Sequence, residues 1–288
     1  MTKSFEAFPG FLFRCDPELV VLDGNGMPVC ANGLIPGTKD NPHPVEHGAV
    51  QVDGMMAEFN IDPVDNYKDF SRNIRAVVRQ LEGFLPTGYK LAALPSVIFT
   101  PEVFNAAPPE ALELGCSPDF DAWKGKKNQP PGAAFRKGVS PFLRTAAGHI
   151  HIGWQSNDAQ VTPEHINHCN DLVKQLDWYL GLWSISKDKD KTRRSLYGKA
   201  GACRYKSYGV EYRVLSNFWV LDNDLRVQMW NRLQRAIFDM QSHCLEDLTG
   251  GIWGHSVTAS IDTSDKGVLG DIFKYPVNTL DARQSAYN

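Results

Sequence analysis

Apolar positions recur along this chain with two periods. Residues 66–84 space Phe70, Ile74, Val77, Val78 and Leu81 three and four apart, the stripe of an amphipathic helix. Thr162-Pro163 opens a second helix, with Thr as its cap and Pro at its first position. Its apolar face is Ile166, Cys169, Leu172, Val173, Leu176, Leu180 and Trp183. A last long helix starts at a cap on Asn223 or Asp224 and carries Leu225, Met229, Leu233, Ile237, Met240 and Cys244 on one side. Strict alternation marks strands instead: Met55 to Ile61 within 49–62, then 148–154, then 209–221. Leu91 to Thr100 reads as a further strand, interrupted by Pro95.

Between these elements, residues 32–48 are rich in Gly, Pro, Asn and His and read as a loop. Residues 105–141 form a long Pro- and Gly-rich connection containing Lys124–Lys127, the kind of segment that serves as a lid or binding loop. The strands do not follow a βαβ rhythm, and no Walker- or Rossmann-type glycine loop is present. The pattern predicts a single α+β domain over residues 1–288, with a largely antiparallel sheet.

Composition narrows the class. The 288 residues are 42% hydrophobic, enough for a large core. A formal charge of -3 argues against general nucleic-acid binding. The six scattered cysteines form no CxxC pair, which favours reduced thiols over a zinc finger. Met1 to Phe13 lacks the basic and apolar regions of a signal peptide, and no stretch approaches a membrane span. The expectation is a cytoplasmic protein.

The chemistry sits on three of the strands. Alternation puts Glu58 and Asn60 on one face, with Asp62 continuing it. His149 and His151 share a face in Gly-His-Ile-His-Ile-Gly, and Glu211 and Arg213 share one in Val-Glu-Tyr-Arg-Val. Each pair alone has a plain explanation: an exposed strand face, packed histidines, a surface ion pair of small value. Pooled on one sheet, they make a polar floor of carboxylates and imidazoles suited to divalent cations, with a guanidinium suited to phosphate. The basic block at 193–209 adds Arg193, Arg194, Lys199, Arg204 and Lys206 among glycines and tyrosines, either as ordinary surface or as an anion contact.

The order Glu-x-Asn, Gly-His-x-His, Glu-x-Arg is similar to that of the glutamine-synthetase-like superfamily. More closely, the chain resembles the phage-encoded carboxylate–amine ligases (COOH–NH2 ligase, type 2), or amidoligases. The supporting segments are GTKDNPHPVEHGAVQVDGMMAEFNIDP, GCSPDFDAW, RTAAGHIHIGW and YGKAGACRYKSYGVEYRVLSNFW, within roughly residues 36–220. The resemblance implies a curved antiparallel sheet forming a catalytic bowl backed by helices. It implies ATP-dependent amide or peptide bond formation through an acyl phosphate, with Mg²⁺ or Mn²⁺ bridging the phosphates. The partners would be a small-molecule or peptide carboxylate and an amine, with no membrane and a homo-oligomer as one option.

By position, the resemblance assigns Glu58, His149 and Glu211 to metal, with His151 as the alternative to His149 and Asn60 as a further ligand. Arg213 would steady the transferring phosphoryl group, and Arg204, Arg194, Lys206 and His151 would contact ATP. Glu58, Glu211 and Arg213 are thus the expected catalytic set. Many relatives carry Glu-x-Glu on the first strand, where this chain has Asn60; Asp53, Asp119 and Asp121 are candidates for the missing ligand. The competing expectations are a metal-dependent hydrolase, since His-x-His strands occur there too, and a non-catalytic phage protein that kept the fold.

Overall fold

In the computed structural model, residues 10–112, 119–128, 138–241 and 252–265 are described. The segments Cys116 and Cys244 belong to, and much of the 105–141 connection, lie outside them.

The first strand, β1 (Leu12–Leu22), is also the longest and was not expected. Its sequence alternates apolar Phe13, Cys15 and Leu19 with Arg14, Asp16 and Glu18, and those three apolar residues are fully buried. After β2 (Pro28–Val29) and β3 (His43–Val45), a hairpin joins β4 (Gly48–Asp53) to β5 (Met56–Ile61). The expected first helix follows as α1 (Tyr67–Phe84), its Asn66 side chain accepting from the Asp69 amide.

The expected strand at 91–100 is two strands, β6 (Lys90–Ala92) and β7 (Ser96–Ile98), which belong to different sheets. Pro95, which lies between them, cannot donate to a ladder and offers its carbonyl to the Ala146 amide instead. Short elements come next: α2 (Pro101–Ala106), α3 (Pro109–Leu112), β8 (Phe120–Asp121), β9 (Lys126–Lys127) and β10 (Leu143–Thr145).

Then come β11 (Gly148–Gly153) and α4 (Pro163–Leu176), capped by Thr162 as its sequence predicts. A single π-turn over Asp177–Gly181 runs into α5 (Leu182–Lys187), and α6 (Lys191–Leu196) follows. The strands β12 (Ala202–Lys206) and β13 (Gly209–Tyr212) form a hairpin. The strand expected over 209–221 thus ends early. The carbonyls of Val214 and Leu215 are taken by the Arg193 guanidinium, and Asn217–Trp219 turns into a 3-10 helix. The chain continues into α7 (Asn223–Gln241), and α8 (Ile252–Thr263) ends the described part. At the start of α7, Asp222 rather than Asn223 or Asp224 accepts from the first-turn amide of Leu225.

Eleven strands make one sheet in the order β3-β4-β5-β1-β11-β13-β12-β8-β9, with β2 and β6 also pairing β1. Every pair of ladder strands is antiparallel, which confirms the α+β expectation. One face is apolar: Phe13, Phe59, Ile150, Ile152, Val210 and Tyr212 are buried in a core with α1, α4 and α7. Burying the whole of such a side chain is worth roughly 1.5–3 kcal/mol, so this layer is the source of the sheet's stability. The other face is polar. At one end it is closed by a smaller cluster in which Val20, Met55, Met56, Phe99 and Ala111 pack together. Among the described residues, no helix is long and apolar enough to cross a membrane.

Candidate active site

Antiparallel register sets the polar side chains in rows across the sheet. Asp16 of β1 stands opposite His149 of β11. In the next row, Arg14 faces His151, His151 faces Glu211, and Glu211 faces Arg204. On the other side of β1, Glu18 stands opposite Glu58, which in turn faces Gln51. The structure therefore brings together His149, His151, Glu211, Arg213, Arg204, Lys206 and Glu58, seven of the expected site residues. It also inserts three that sequence reasoning passed over: Arg14, Asp16 and Glu18.

Gly148 explains the signature Gly before the first histidine. A Cβ there would lie 2.4 Å from the Ser216 carbonyl oxygen and 2.8 Å from Trp219 Nε1. Only glycine lets the start of β11 pass that close to the following turn.

At the centre, one oxygen or nitrogen each from Asp16, His149 and Glu211 lies within 4.8 Å of the others. His149 Nδ1 is 3.4 Å from Asp16 Oδ1 and 3.5 Å from Glu211 Oε1, and His151 Nε2 is 3.1 Å from Asp16 Oδ1. Burial, reinforced by Arg213, pushes the His149 imidazole down to about 3, so it is neutral at pH 7 with a lone pair to offer. Asp16 Oδ1 is buried and makes no hydrogen bond. Two carboxylates and a neutral imidazole around an unsatisfied oxygen fit a hard or borderline divalent cation. The carboxylate expected beside His149 and Glu211 was Glu58; in this structure Asp16 holds that place.

Glu211 is fully buried and carries most of the cations. Arg213 Nη1 donates to its Oε1, while Lys206 Nζ at 3.0 Å and Arg204 Nη1 at 3.4 Å meet Oε2. Arg213 also reaches Asp119 at 3.7 Å and donates to the Tyr197 hydroxyl. Asp119 thus lies at the site, whereas Asp121 accepts from the Trp123 and Lys124 amides in its own turn and pairs with Lys124.

Glu58 belongs to a second carboxylate group. Burial pushes its pKa well up, and Asp16, Glu18 and Asp53 push the same way. Glu18 rises to about 7, again through burial first and Asp53 next. Their hydrogen bonds are few: Gln51 Nε2 donates to Glu58 at 2.9 Å, and the Ala147 amide to Glu18 at 2.9 Å. Asn60, one alternation beyond Glu58, is only half-buried.

Arg194 is placed elsewhere. Its guanidinium is buried under α6, donating to the carbonyls of Gly198 and Val214 and to Ser184 Oγ. Helical phase decides this: α6 turns the Arg193–Arg194 pair inward, while Arg204 and Lys206 alternate onto the polar face of β12.

Beyond His151 the floor opens into a cavity of about 510 Å³, lined by Leu12, Arg14, His151, Trp154, Gln155 and Tyr208, among others. Arg14 lies 5.0 Å over the Tyr208 ring, and the Tyr208 hydroxyl meets His151 Nδ1 at 2.6 Å. The floor is polarised: Arg14 lines this cavity, Arg204 and Lys206 stand at Glu211, and the carboxylates Glu18 and Glu58 pair across β1 and β5 on the other side.

Among curated proteins, no sequence matches. A bifunctional glutathione synthetase from Pasteurella multocida aligns in structure with a TM-score of 0.40 and 10% identity, over 92% of this chain and 49% of that one. The chain thus spans about half the length of that neighbour, and at that score the likeness carries no argument. The sequence comparison is more direct, and it bears out the resemblance read from the motifs: residues 126–243, which hold His149, Arg204, Glu211 and Arg213, match the family described as Phage phiEco32-like COOH.NH2 ligase-type 2.

Proposed function

We propose that this protein is an ATP-dependent carboxylate–amine ligase with a glutamine-synthetase-like catalytic bowl, forming an amide or peptide bond through an acyl phosphate. The observation that carries the reading is the Asp16–His149–Glu211 cluster with Arg213 against it, on strands of which two lie in the matched segment.

Asp16, His149 and Glu211 would hold one Mg²⁺ or Mn²⁺. Such ions neutralise the phosphate oxygens when bound. The nucleoside would occupy the cavity lined by Trp154 and Tyr208, whose aromatic faces suit a purine. Arg14, Arg204 and Lys206 would then lie along the polyphosphate, and Arg213 at the γ-phosphoryl group. A substrate carboxylate oxygen attacks the γ-phosphorus as the bond to ADP breaks. The amine nitrogen then attacks the acyl carbon, and phosphate leaves carrying the amine's proton. No enzyme nucleophile is required; the side chains position and neutralise.

The test is incubation with Mg²⁺-ATP and pooled carboxylic acids and amines, read by product mass. The expected product is the sum of one acid and one amine less one water, formed together with ADP and phosphate, and absent with Glu211→Gln. Cleavage of amides or esters without ATP would instead identify a metal-dependent hydrolase and sink the ligase reading.

A further inference from the structure

The segment Tyr197–Gly201 is held more firmly than a surface turn requires. The Gly201 amide donates to Asp177 Oδ2 at 2.6 Å and the Ala200 amide to Asp262 Oδ1 at 2.8 Å. Gly201 has φ +74°, and a Cβ there would lie 2.7 Å from Trp123 Cδ1. At the other end, the Tyr197 amide donates to the Arg193 carbonyl at 2.7 Å. Two guanidiniums lie against the Tyr197 ring, Arg193 at 5.6 Å and Arg213 at 5.5 Å from its centroid. All of this fixes one hydroxyl, which accepts from Arg213 Nη2 and lies 2.9 Å from His149 Nε2.

The other nitrogen of His149 faces the cluster. Its Nδ1 is 3.4 Å from Asp16, 3.5 Å from Glu211 and 3.4 Å from Arg213 Nη1. Of these, the Arg213 contact has hydrogen-bond geometry while Asp16 Oδ1 makes no hydrogen bond, and a guanidinium has donors only, so the geometry favours a lone pair on Nδ1. The ring proton then sits on Nε2, where the Tyr197 oxygen accepts it.

We propose that Tyr197 is a positioning residue: its hydroxyl keeps the His149 proton on Nε2 and so presents Nδ1 to a divalent cation beside Asp16 and Glu211. The second half of this statement rests on the metal reading above; the first half does not. A hydrogen bond that fixes tautomer and ring orientation is the usual support of a metal-binding histidine, and losing it weakens metal binding about 10–100-fold.

The experiment has two arms. In the first, metal-free protein labelled with ¹⁵N-histidine is examined by long-range ¹H–¹⁵N spectra at one neutral pH, with His149 assigned by its loss in His149→Gln. Wild type is expected to show the Nε2–H tautomer alone, and Tyr197→Phe a mixture of both. In the second, Mn²⁺ binding is followed by the electron paramagnetic resonance of the free ion, and Tyr197→Phe is expected to weaken it about 10–100-fold. An Nδ1–H tautomer in wild type, which needs no variant to observe, overturns the proposal. So does an unchanged tautomer in Tyr197→Phe, or Mn²⁺ affinity within about twofold of wild type by that same scale. If wild type shows the Nε2–H tautomer but binds no Mn²⁺, the metal reading fails and the second half of the proposal goes with it.

Discussion

Arg193 and Arg213 are both almost wholly buried, at 0% and 2% exposure, yet they do opposite work. Arg193 is held mainly by neutral dipoles, with the buried Asp188 carboxylate farther off at 3.9 Å. Its Nε donates to the Ala146 carbonyl at 2.9 Å and its Nη2 to that of Leu215 at 2.9 Å, with Val214 at 3.3 Å. It welds α6 to the entrance of β11 and the exit of β13. Arg213 faces ionisable partners: Glu211, Asp119 and the His149–Tyr197 pair. Dipoles that never change charge make a scaffold. Carboxylates that an incoming cation or phosphate can recruit make a site. Burial does not separate the two arginines; the partners do.

The comparison breaks most visibly at Arg193. Arg193→Met leaves the Ala146 carbonyl without its donor, at roughly 1–3 kcal/mol, and takes one of two donors from the Val214 and Leu215 carbonyls, which keep Arg194 and the Gly148 amide, at about 0.5–1.5 kcal/mol each. We expect a loss on the order of 4 kcal/mol, seen as a fall of roughly 8–16 °C in Tm. Arg213→Met, measured the same way, should lose far less, because its carboxylate partner keeps Lys206 and Arg204. Equal losses in the two variants would erase the distinction.

A smaller effect sharpens the scaffold side. Asp177 sits on the π-turn and accepts from Trp123 Nε1, the Gly201 amide and the Tyr212 hydroxyl. Burial nevertheless raises its pKa from 3.8 to about 7, because those three donors do not offset the lost hydration. A carboxyl raised in the folded state stabilises below its unfolded value and loses that contribution as pH climbs to the folded one. The unfolding free energy from denaturant titrations should therefore fall between about pH 4 and pH 7, by roughly 3–4 kcal/mol from this group. Asp177→Asn should flatten that slope. A slope that survives the substitution would assign it to other groups.

Much of this was readable in the sequence, for physical reasons. The helices α1, α4 and α7 bury wide apolar stripes, so their periodicity shows. The pairs Glu58–Asn60, His149–His151 and Glu211–Arg213 alternate with buried residues, so their common face shows too. The strand that joins them was hidden. Pro17 argues against a central strand, but here it stands opposite Gly148 at the end of the β11 ladder, where β1 passes on to pair with β5. With β1 unread, Asp16 and Glu18 went unread, although Phe13-Arg14-Cys15-Asp16 already alternates. The carboxylate beside His149 was then sought on Glu58, which is across β1. Arg194 was misplaced for a different reason. Basic residues look alike in a list, and only the helical phase of α6 against the strand phase of β12 sends one pair inward and the other to the site.

The smallest expected change in stability belongs to Arg204, and it tests the site side alone. Its side chain is 29% exposed and its ion pair with Glu211 is long, at 3.4 Å. Lys206 shares the same carboxylate oxygen, so Glu211 is not left without a cation when Arg204 goes. Partly exposed pairs of this kind contribute about 0–1 kcal/mol. Arg204→Met should therefore leave Tm within about 2–4 °C of wild type. If Arg204 lies along a bound polyphosphate, the same variant loses a charge-assisted contact of roughly 1.5–3 kcal/mol, a rise of about tenfold or more in KM for ATP. Because that contact is made to substrate and transition state alike, kcat should hold. A variant that keeps its Tm and its KM would make Arg204 an ordinary surface residue. One that loses Tm as Arg193→Met does would move it to the scaffold.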